Sequence, residues 1–249
     1  MNIFKKIKTY NKYGRQVVND PLYKRGLEMT KSELKKTPQR TEVINFLLSR
    51  FNRETCYLEI GVRNPPDNYN HINAGTKYSV DPGIEYQESS IDFKMTSDSF
   101  FDKLNNNEVL SKDIKFDVIF IDGLHLAEQV DRDIKNALDF IKEAGFIILH
   151  DCNHPTEWHA RENYQYKNSP AHGYWNGTTW KAFLKSRYNP KLYSCCIDTD
   201  WGVGILSKKH PVGHSIKNTN PFYEYKVLDK NRKESLNLIS FGELKKLLA

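Results

Sequence analysis

The sequence predicts an α/β fold, a doubly wound and mostly parallel sheet that ends in an antiparallel hairpin. Beyond residue 40, short apolar runs alternate with segments whose apolar residues have helical spacing. The run FDVIFID, residues 116–122, is apolar on both faces, which is typical of a strand inside a parallel sheet. Near the end of this region, two strand-like runs flank the turn-like sequence DTDWG, residues 198–202.

The elements follow in chain order. The predicted strands are 56–62, 77–80, a weaker 91–96, 116–122, 146–150, 192–197 and 203–207. The predicted helices are 42–51 with Thr41 as N-cap, 98–107 capped by Ser97 or Asp98, 126–142 ended by Gly145, 180–187 and 241–248. Strands that alternate with helices in this way favour a doubly wound sheet.

Length and composition exclude several classes of protein. A chain of 249 residues suits one large domain with a full hydrophobic core. The four cysteines include the adjacent pair Cys195 and Cys196 and form no CxxC motif, which favours a reduced, cytoplasmic protein over a disulfide framework. No apolar run approaches the roughly 18 residues of a membrane span, and residues 1–10 lack the apolar centre of a signal peptide.

The positive charge is concentrated at the start of the chain. Residues 1–40 hold eleven basic and three acidic residues, whereas residues 41–249 are slightly acidic. We therefore expect a basic N-terminal extension (1–40), a catalytic domain (41–210) and a C-terminal extension with a short helix (211–249). The basic extension is either a solvated leader or a surface that attracts phosphates, such as a nucleotide-linked substrate or anionic lipid, and Ile3, Phe4 and Ile7 could form a short interfacial helix.

Polar residues recur where the predicted strands end. Open α/β sheets bind ligands outside the carboxyl ends of their strands. The residues at those ends are Glu59, Gly61, Asp81, Thr96, Ser97, Asp98, Asp122, His125, His150 and Asp151. Each alone could be a helix cap or a loop hydrogen-bonding group, but their joint placement indicates one site.

The order YLEIGV, YSVDPG, FDVIFIDGLH and GFIILHD resembles the class I S-adenosylmethionine (SAM)-dependent methyltransferases, which have a Rossmann-like fold. Within this class it is most similar to the metal-assisted O-methyltransferases, the branch of the catechol and macrocin enzymes. The similarity covers roughly residues 40–208. The sequence departs from the family after Gly61, where RNPPDN replaces further glycines, so the cofactor loop is expected to be longer or differently shaped.

The resemblance implies a role for each strand-end residue. SAM would be bound by Glu59, Gly61, Asp81, Ser97, Asp98 and Asp122. A divalent metal, Mg²⁺ or Mn²⁺, would be held by Asp122, Asp151 and His150, although imidazole suits softer metals better than Mg²⁺. His125, whose unperturbed pKa is near neutral, would be the general base for the acceptor hydroxyl. Asp81 and Ser97 could instead serve as structural or capping residues.

The segment 153–177 is rich in aromatic residues and is predicted to be a lid or an acceptor-binding region. Its tryptophans and tyrosines, Tyr166 among them, suit a sugar or phenol. The resemblance favours a small-molecule or glycan acceptor, either free or linked to a nucleotide or a lipid. An RNA or DNA methyltransferase is disfavoured because the body of the chain is nearly neutral. A non-catalytic binding module is the third alternative, and a homo-oligomer stays open.

Overall fold

A computed structural model of the chain describes residues 2–86, 90–165 and 167–249. In these residues, seven strands form one mixed sheet of order β2-β1-β3-β4-β6-β5-β7. The strands are β1 (Cys56–Ile60), β2 (Thr76–Val80), β3 (Phe116–Ile121), β4 (Ile141–Leu149), β5 (Tyr193–Ile197), β6 (Val203–Ser207) and β7 (Leu238–Ile239). Only β6 runs antiparallel to its neighbours, β4 and β5. The predicted fold class is thus confirmed.

Helices cover both faces of the sheet. They are α1 (Ile3–Asn19), α2 (Pro21–Glu33), α3 (Arg40–Ser49), α4 (Ser97–Asn105), α5 (Ala127–Phe140), α6 (Thr179–Arg187), α7 (Tyr225–Lys230), α8 (Arg232–Leu236) and α9 (Phe241–Leu247). One hydrophobic cluster packs α4, α5 and α6 on one face. A second cluster packs α3 and α9 on the other face. The apolar stripes of these helices are therefore buried on both sides of the sheet, as the doubly wound prediction requires.

The predicted strand 91–96 is wrong as a regular strand. Phe93 forms only an isolated parallel bridge to Val80, beside strand β2. The side chain of Asp92 accepts hydrogen bonds from the backbone N–H and the hydroxyl of Ser79, at 2.9 and 2.7 Å. Because a side chain here takes the place of backbone pairing, the ladder does not extend beyond one bridge.

Three predicted helix boundaries also differ. Thr96, and not Ser97 or Asp98, caps α4 by accepting the backbone N–H of Ser99. Helix α5 ends at Phe140, before Gly145, and its last residue leads directly into β4. Gly145 lies instead within β4, opposite an irregularity in the pairing with β3, where a Cβ would approach the carbonyl oxygen of Asp117 to 2.9 Å.

The N-cap of α3 is Gln39, one residue before the helix, and not Thr41. The Thr41 hydroxyl instead donates a hydrogen bond to Asn68 in the loop after β1. The boundary expected after residue 40 falls within α3, which begins at Arg40. Residues 1–39 add two helices, α1 and α2, of which only α2 has buried residues.

No helix in the described part of the chain is both long enough and apolar enough to cross a membrane. All four cysteines are free, as the sequence predicts.

Candidate active site

The carboxyl ends of β3 and β4 bring four of the predicted residues together. Ile121 of β3 pairs with Leu149 of β4, so Asp122 and His150 follow side by side. His150 Nδ1 lies 3.2 Å from Asp122 Oδ1 and 3.4 Å from Asp151 Oδ1. His125 lies between the two carboxylates, with Nε2 3.3 Å from Asp122 Oδ1 and Nδ1 2.9 Å from Asp151 Oδ2. We call Asp122, His125, His150 and Asp151 the acid–imidazole cluster.

Two residues that the sequence analysis missed complete this cluster. Asp200, in the turn between β5 and β6, places Oδ1 3.4 Å from His150 Nε2. Arg40, at the start of α3, places Nε 3.9 Å from Asp122 Oδ2 and pairs with Asp200 at 3.1 Å. Asp200 also accepts the backbone N–H of Arg40. The predicted turn 198–202, which contains Asp200, could have indicated this residue, because a hairpin that joins the sheet brings its turn near the strand ends. No motif in the sequence indicates Arg40.

The charges of the cluster balance one another. Burial alone would lower the pKa of His125, but Asp151 and Asp122 overcome it and raise that pKa to about 10. The pKa of His150 is likewise raised, against burial, by Asp122, Asp151 and Asp200. Burial would raise the pKa of Asp122 and Asp200, but both are lowered, with His150 the main opposing group in each case. Two imidazoles with raised pKa values and the guanidinium of Arg40 therefore face the carboxyl groups of Asp122, Asp151 and Asp200.

The donor set fits a divalent cation. One ligand atom from each of Asp122, His125 and Asp151 lies within 4.8 Å of the other two. His125 Nδ1 and His150 Nε2 are buried and lie close to carboxylate oxygens without forming a hydrogen bond. A cation between Asp122 and Asp151 could take the place of the proton on His150 Nδ1, the nitrogen that faces both carboxylates. The mixture of carboxylate and imidazole suits Mn²⁺ or a softer ion better than Mg²⁺.

The end of the aromatic segment 153–177 covers this cluster. The indole of Trp175 stacks on His125, with 5.3 Å between ring centroids and 19° between planes. The side-chain amide of Asn176 donates to Asp151. Gly177 has a φ of +60°, and a Cβ there would lie 2.0 Å from the carbonyl oxygen of His125. That same oxygen accepts the backbone N–H of Thr178 at 2.7 Å, so the segment is fixed to the residues it covers.

Gly61, which directly follows β1, has a structural role in the backbone. Its φ is +85°, and a Cβ would lie 2.3 Å from the Cα of Gly123, the residue after Asp122. Glycine is therefore required for the close contact between the ends of β1 and β3, in addition to any approach of a cofactor.

Glu59 is buried and accepts hydrogen bonds from the hydroxyl of Tyr57 at 2.6 Å and the amide of Asn68 at 2.9 Å. Burial is the main cause that raises its pKa to about 7, with a contribution from Asp122. Through Asn68 and Thr41, Glu59 orients the loop that follows β1 in place of a glycine-rich turn.

The other predicted cofactor residues have protein partners. Asp81 accepts backbone N–H groups from Arg63, at 2.9 Å, and Gly83, at 2.6 Å. Ser97 and Asp98 both accept hydrogen bonds from Gln129 of helix α5. Gly61 and Asp81 lie at the ends of β1 and β2, whereas Ser97 and Asp98 lie at the start of α4 and contact α5.

A separate cavity of about 800 Å³ lies between α2, residues 155–162, α6 and residues 223–229. Its aromatic lining comes from Trp158, Trp180, Tyr223 and Tyr225. No residue of the acid–imidazole cluster lines it. Tyr166 of the same aromatic segment lies outside the described residues.

Residues 70–152 match a protein family described as "Methyltransferase domain". The matched span runs from the loop before β2 to the end of β4 and contains the whole acid–imidazole cluster. No curated protein matches the sequence.

Solved structures with a similar chain path include three methyltransferases. One is an O-methyltransferase from Bacillus cereus in complex with S-adenosylhomocysteine (SAH), 14% identical, covering 80% of this chain and 95% of that one, with a TM-score of 0.40. Another is TomG, an O-methyltransferase of tomaymycin synthesis from Streptomyces achromogenes in complex with SAM, with 10% identity, coverages of 83% and 99% and a TM-score of 0.42. The third is MycE from the mycinamycin pathway in complex with Mg, SAH and mycinamycin VI, with 14% identity, coverages of 93% and 68% and a TM-score of 0.42.

These similarities concern the path of the chain, and nothing about the site is inferred from them. The sheet order and the domain match define the class of protein. The chain has a Rossmann-like methyltransferase fold, and it is an enzyme of the methyltransferase class.

Proposed function

We propose that the protein is a SAM-dependent O-methyltransferase whose reaction centre is the acid–imidazole cluster. The observation that carries the proposal is the convergence of Asp122, His125 and Asp151, within 4.8 Å, inside the span that matches a methyltransferase domain. Carboxylates and an imidazole at this spacing suit the deprotonation of a hydroxyl beside a cation. SAM supplies an electrophilic methyl group to the oxygen that results.

In this proposal Asp122, Asp151 and His150 would hold a divalent metal, whose positive charge would lower the pKa of a bound hydroxyl. Asp200 and Arg40 hold His150 and Asp122 in place from the opposite side. His125 accepts the acceptor's proton. Positive charge beside Asp122 and Asp151 would offset the attraction that raises the pKa of His125, so this pKa would fall towards the range of a base at neutral pH.

The cofactor would bind at the ends of β1 and β2, beside Glu59, Gly61 and Asp81. Gly61 brings two strand ends together, and the carboxylate of Asp81 lies at the end of β2, where it would meet the ribose hydroxyls. Ser97 and Asp98, at the start of α4, would contribute on the adenine side.

For the acceptor we propose a hydroxyl on a sugar-type ring of a small molecule or glycan. The face of Trp175 lies over His125, and aromatic faces pack well against the C–H groups of a sugar ring. An acceptor ring next to Trp175 would place its hydroxyl near His125.

The test pairs each site variant with the same substitution elsewhere. Asp122→Asn should abolish methyl transfer, and His125→Gln should lower turnover about 10²–10⁴-fold because a positioned base is lost. His71→Gln and Asp139→Asn change exposed residues outside the site and should leave turnover unchanged. Turnover is measured with labelled SAM and a panel of glycosides, and SAM affinity by calorimetry.

His125→Gln should bind SAM as the wild type does. Wild-type turnover in both Asp122→Asn and His125→Gln would refute the proposed reaction centre. Dialysis against a chelator should remove activity, and Mn²⁺ should restore it at a lower concentration than Mg²⁺.

A further inference from the structure

Helix α1 is amphipathic, and its apolar side has no partner in the described part of the chain. Every described residue of α1 is exposed, and the helix has no buried residue. Its large apolar side chains are unusually solvent-exposed, among them Ile3 at 67%, Phe4 at 77% and Tyr10 at 68%. A row of exposed residues this apolar marks an interaction surface.

The sequence of α1 separates two faces. Large apolar residues occur at Ile3, Phe4, Ile7, Tyr10, Val17 and Val18, at separations close to whole numbers of helical turns. At 3.6 residues per turn these positions share one side of the helix. Lys5, Lys8 and Lys12 fall on the opposite side, and Lys6 and Arg15 lie at its two borders. Residues 1–19 contain no acidic residue, so every charged side chain of α1 is basic.

We propose that α1 lies on the surface of an anionic lipid bilayer, with its apolar face in the headgroup boundary and its basic face towards lipid phosphates. This combination of a basic face, an aromatic and aliphatic face and low mean hydropathy is characteristic of interfacial helices. Tyr10 and Tyr13 suit the boundary, because a tyrosine ring is apolar while its hydroxyl stays hydrated. Charge complementarity favours this occupant over a second copy of α1, which would bring no acidic residue to pair with the lysines.

Helix α2 connects α1 to the covering segment. Asp20 caps α2 by accepting the N–H groups of Leu22 and Tyr23. Gly26 packs directly on Pro170, and the Thr30 hydroxyl lies 3.1 Å from Nε2 of the buried His159. The bilayer-bound helix is thus joined to the segment 153–177, whose end covers the proposed reaction centre.

The experiment uses the full chain and sedimentation with vesicles. The wild type should bind mixed phosphatidylcholine–phosphatidylglycerol vesicles, bind pure phosphatidylcholine vesicles far less, and lose binding to the mixed vesicles at high salt. Phe4→Gln combined with Ile7→Gln should weaken binding to mixed vesicles about 100-fold, because two apolar side chains no longer leave water. Lys8→Gln combined with Lys12→Gln should weaken it at least about tenfold.

The matched control is Thr9→Ala combined with Gln16→Ala, which alters the polar face without changing its charge and should bind within about twofold of the wild type. All variants should keep the wild-type Tm, since every substituted side chain is exposed. Failure of the wild type to bind mixed vesicles would overturn the proposal. So would a dimer in light scattering that dissociates in the Phe4/Ile7 variant while vesicle binding is unaffected, since a second copy would then cover the apolar face.

Discussion

At the scale of single residues, the acid–imidazole cluster joins side chains that follow two adjacent strands, and a helix start and a hairpin turn supply its neighbours Arg40 and Asp200. Asp122, His125, His150 and Asp151 were all named from the sequence, because polar residues at the ends of adjacent parallel strands must converge. Arg40 and Asp200 were missed because they come from elements far apart in sequence. No local pattern reveals that a helix start and a hairpin turn meet the same carboxylates.

Gly61 gives the prediction at this scale. Replacement by Ala puts a Cβ at a φ of +85° and 2.3 Å from the Cα of Gly123. We expect Gly61→Ala to lower the free energy of unfolding by at least about 2 kcal/mol and to displace Asp122, which reduces methyl transfer. Urea denaturation and a turnover assay measure the two effects.

The neighbouring glycine provides the control. A Cβ on Gly123 would meet its nearest neighbour, Ile60 Cγ2, at 3.7 Å, an ordinary contact. Gly123→Ala should therefore cost less than about 1 kcal/mol. Equal losses of stability in the two variants would mean that the close contact at Gly61 does not determine the geometry.

At the scale of secondary-structure elements, six of the seven described strands were predictable and the two-residue strand β7 was not. Strands β1, β3 and β6 are mostly apolar because nearly all of their residues are buried. The two-residue strand β7 and the short helices α7 and α8 have no pattern long enough to detect, and they are held by packing against the rest of the fold. The false strand at 91–96 failed because a side chain, Asp92, occupied the pairing groups of Ser79.

The buried Asp117 contacts three strands near the start of β3, at the end of the strands opposite the acid–imidazole cluster. It is completely buried at the start of β3, accepts the backbone N–H of Cys56 in β1 at 2.8 Å, and pairs with Lys142 of β4 at 2.9 Å. Arg53 forms a further ion pair with it. Asp117→Ala should lower the free energy of unfolding by about 1–3 kcal/mol, because the backbone N–H of Cys56 and two partly exposed cations lose their shared acceptor.

The half-exposed partner is the comparison for this prediction. Arg53→Gln removes an ion pair whose cation is largely in water, so we expect a cost of about 1 kcal/mol or less. Urea denaturation measures both variants, and SAM affinity should be unchanged in the fraction that stays folded. A loss for Asp117→Ala no larger than that for Arg53→Gln would show that the three-strand connection adds little.

At the scale of the whole molecule, the sequence divided the chain by charge, and the structure shows which parts of that division matter. The basic residues of α1 project from the protein, whereas the next helix is part of the packed structure: α2 buries Gly26, Thr30 and Glu33. The backbone N–H of Trp201 donates to Glu33, so α2 is also joined to the turn that carries Asp200. Composition separates charged from neutral regions, but only packing shows that α2 helps to hold the active-site side of the sheet.

His159 lies where α2 meets the aromatic segment, and it makes this junction sensitive to acid. Its two ring nitrogens lie 3.1 Å from the hydroxyl of Thr30 and 2.8 Å from that of Thr156. Burial is the main cause that lowers its pKa to about 4, with Arg161 contributing. In the unfolded chain the histidine pKa is about 6.5, so between pH 6.5 and 4 the unfolded state binds more protons. Stability is therefore full above pH 6.5 and falls as the pH decreases towards 4, by up to about 3 kcal/mol from this residue.

Glutamine at position 159 can still hydrogen-bond but cannot take up the proton, so the difference between His159→Gln and the wild type isolates this effect from every other titrating group. Between pH 7 and 4, urea denaturation should show a larger loss of unfolding free energy for the wild type than for the variant. Above pH 6.5 the unfolding free energies of the two proteins should no longer change relative to each other. His172→Gln, at an exposed position in the same segment, should follow the wild type across the range. Parallel curves for His159→Gln and the wild type would show that His159 is protonated without loss of the junction, and α2 would then be held by Gly26 and Glu33 alone.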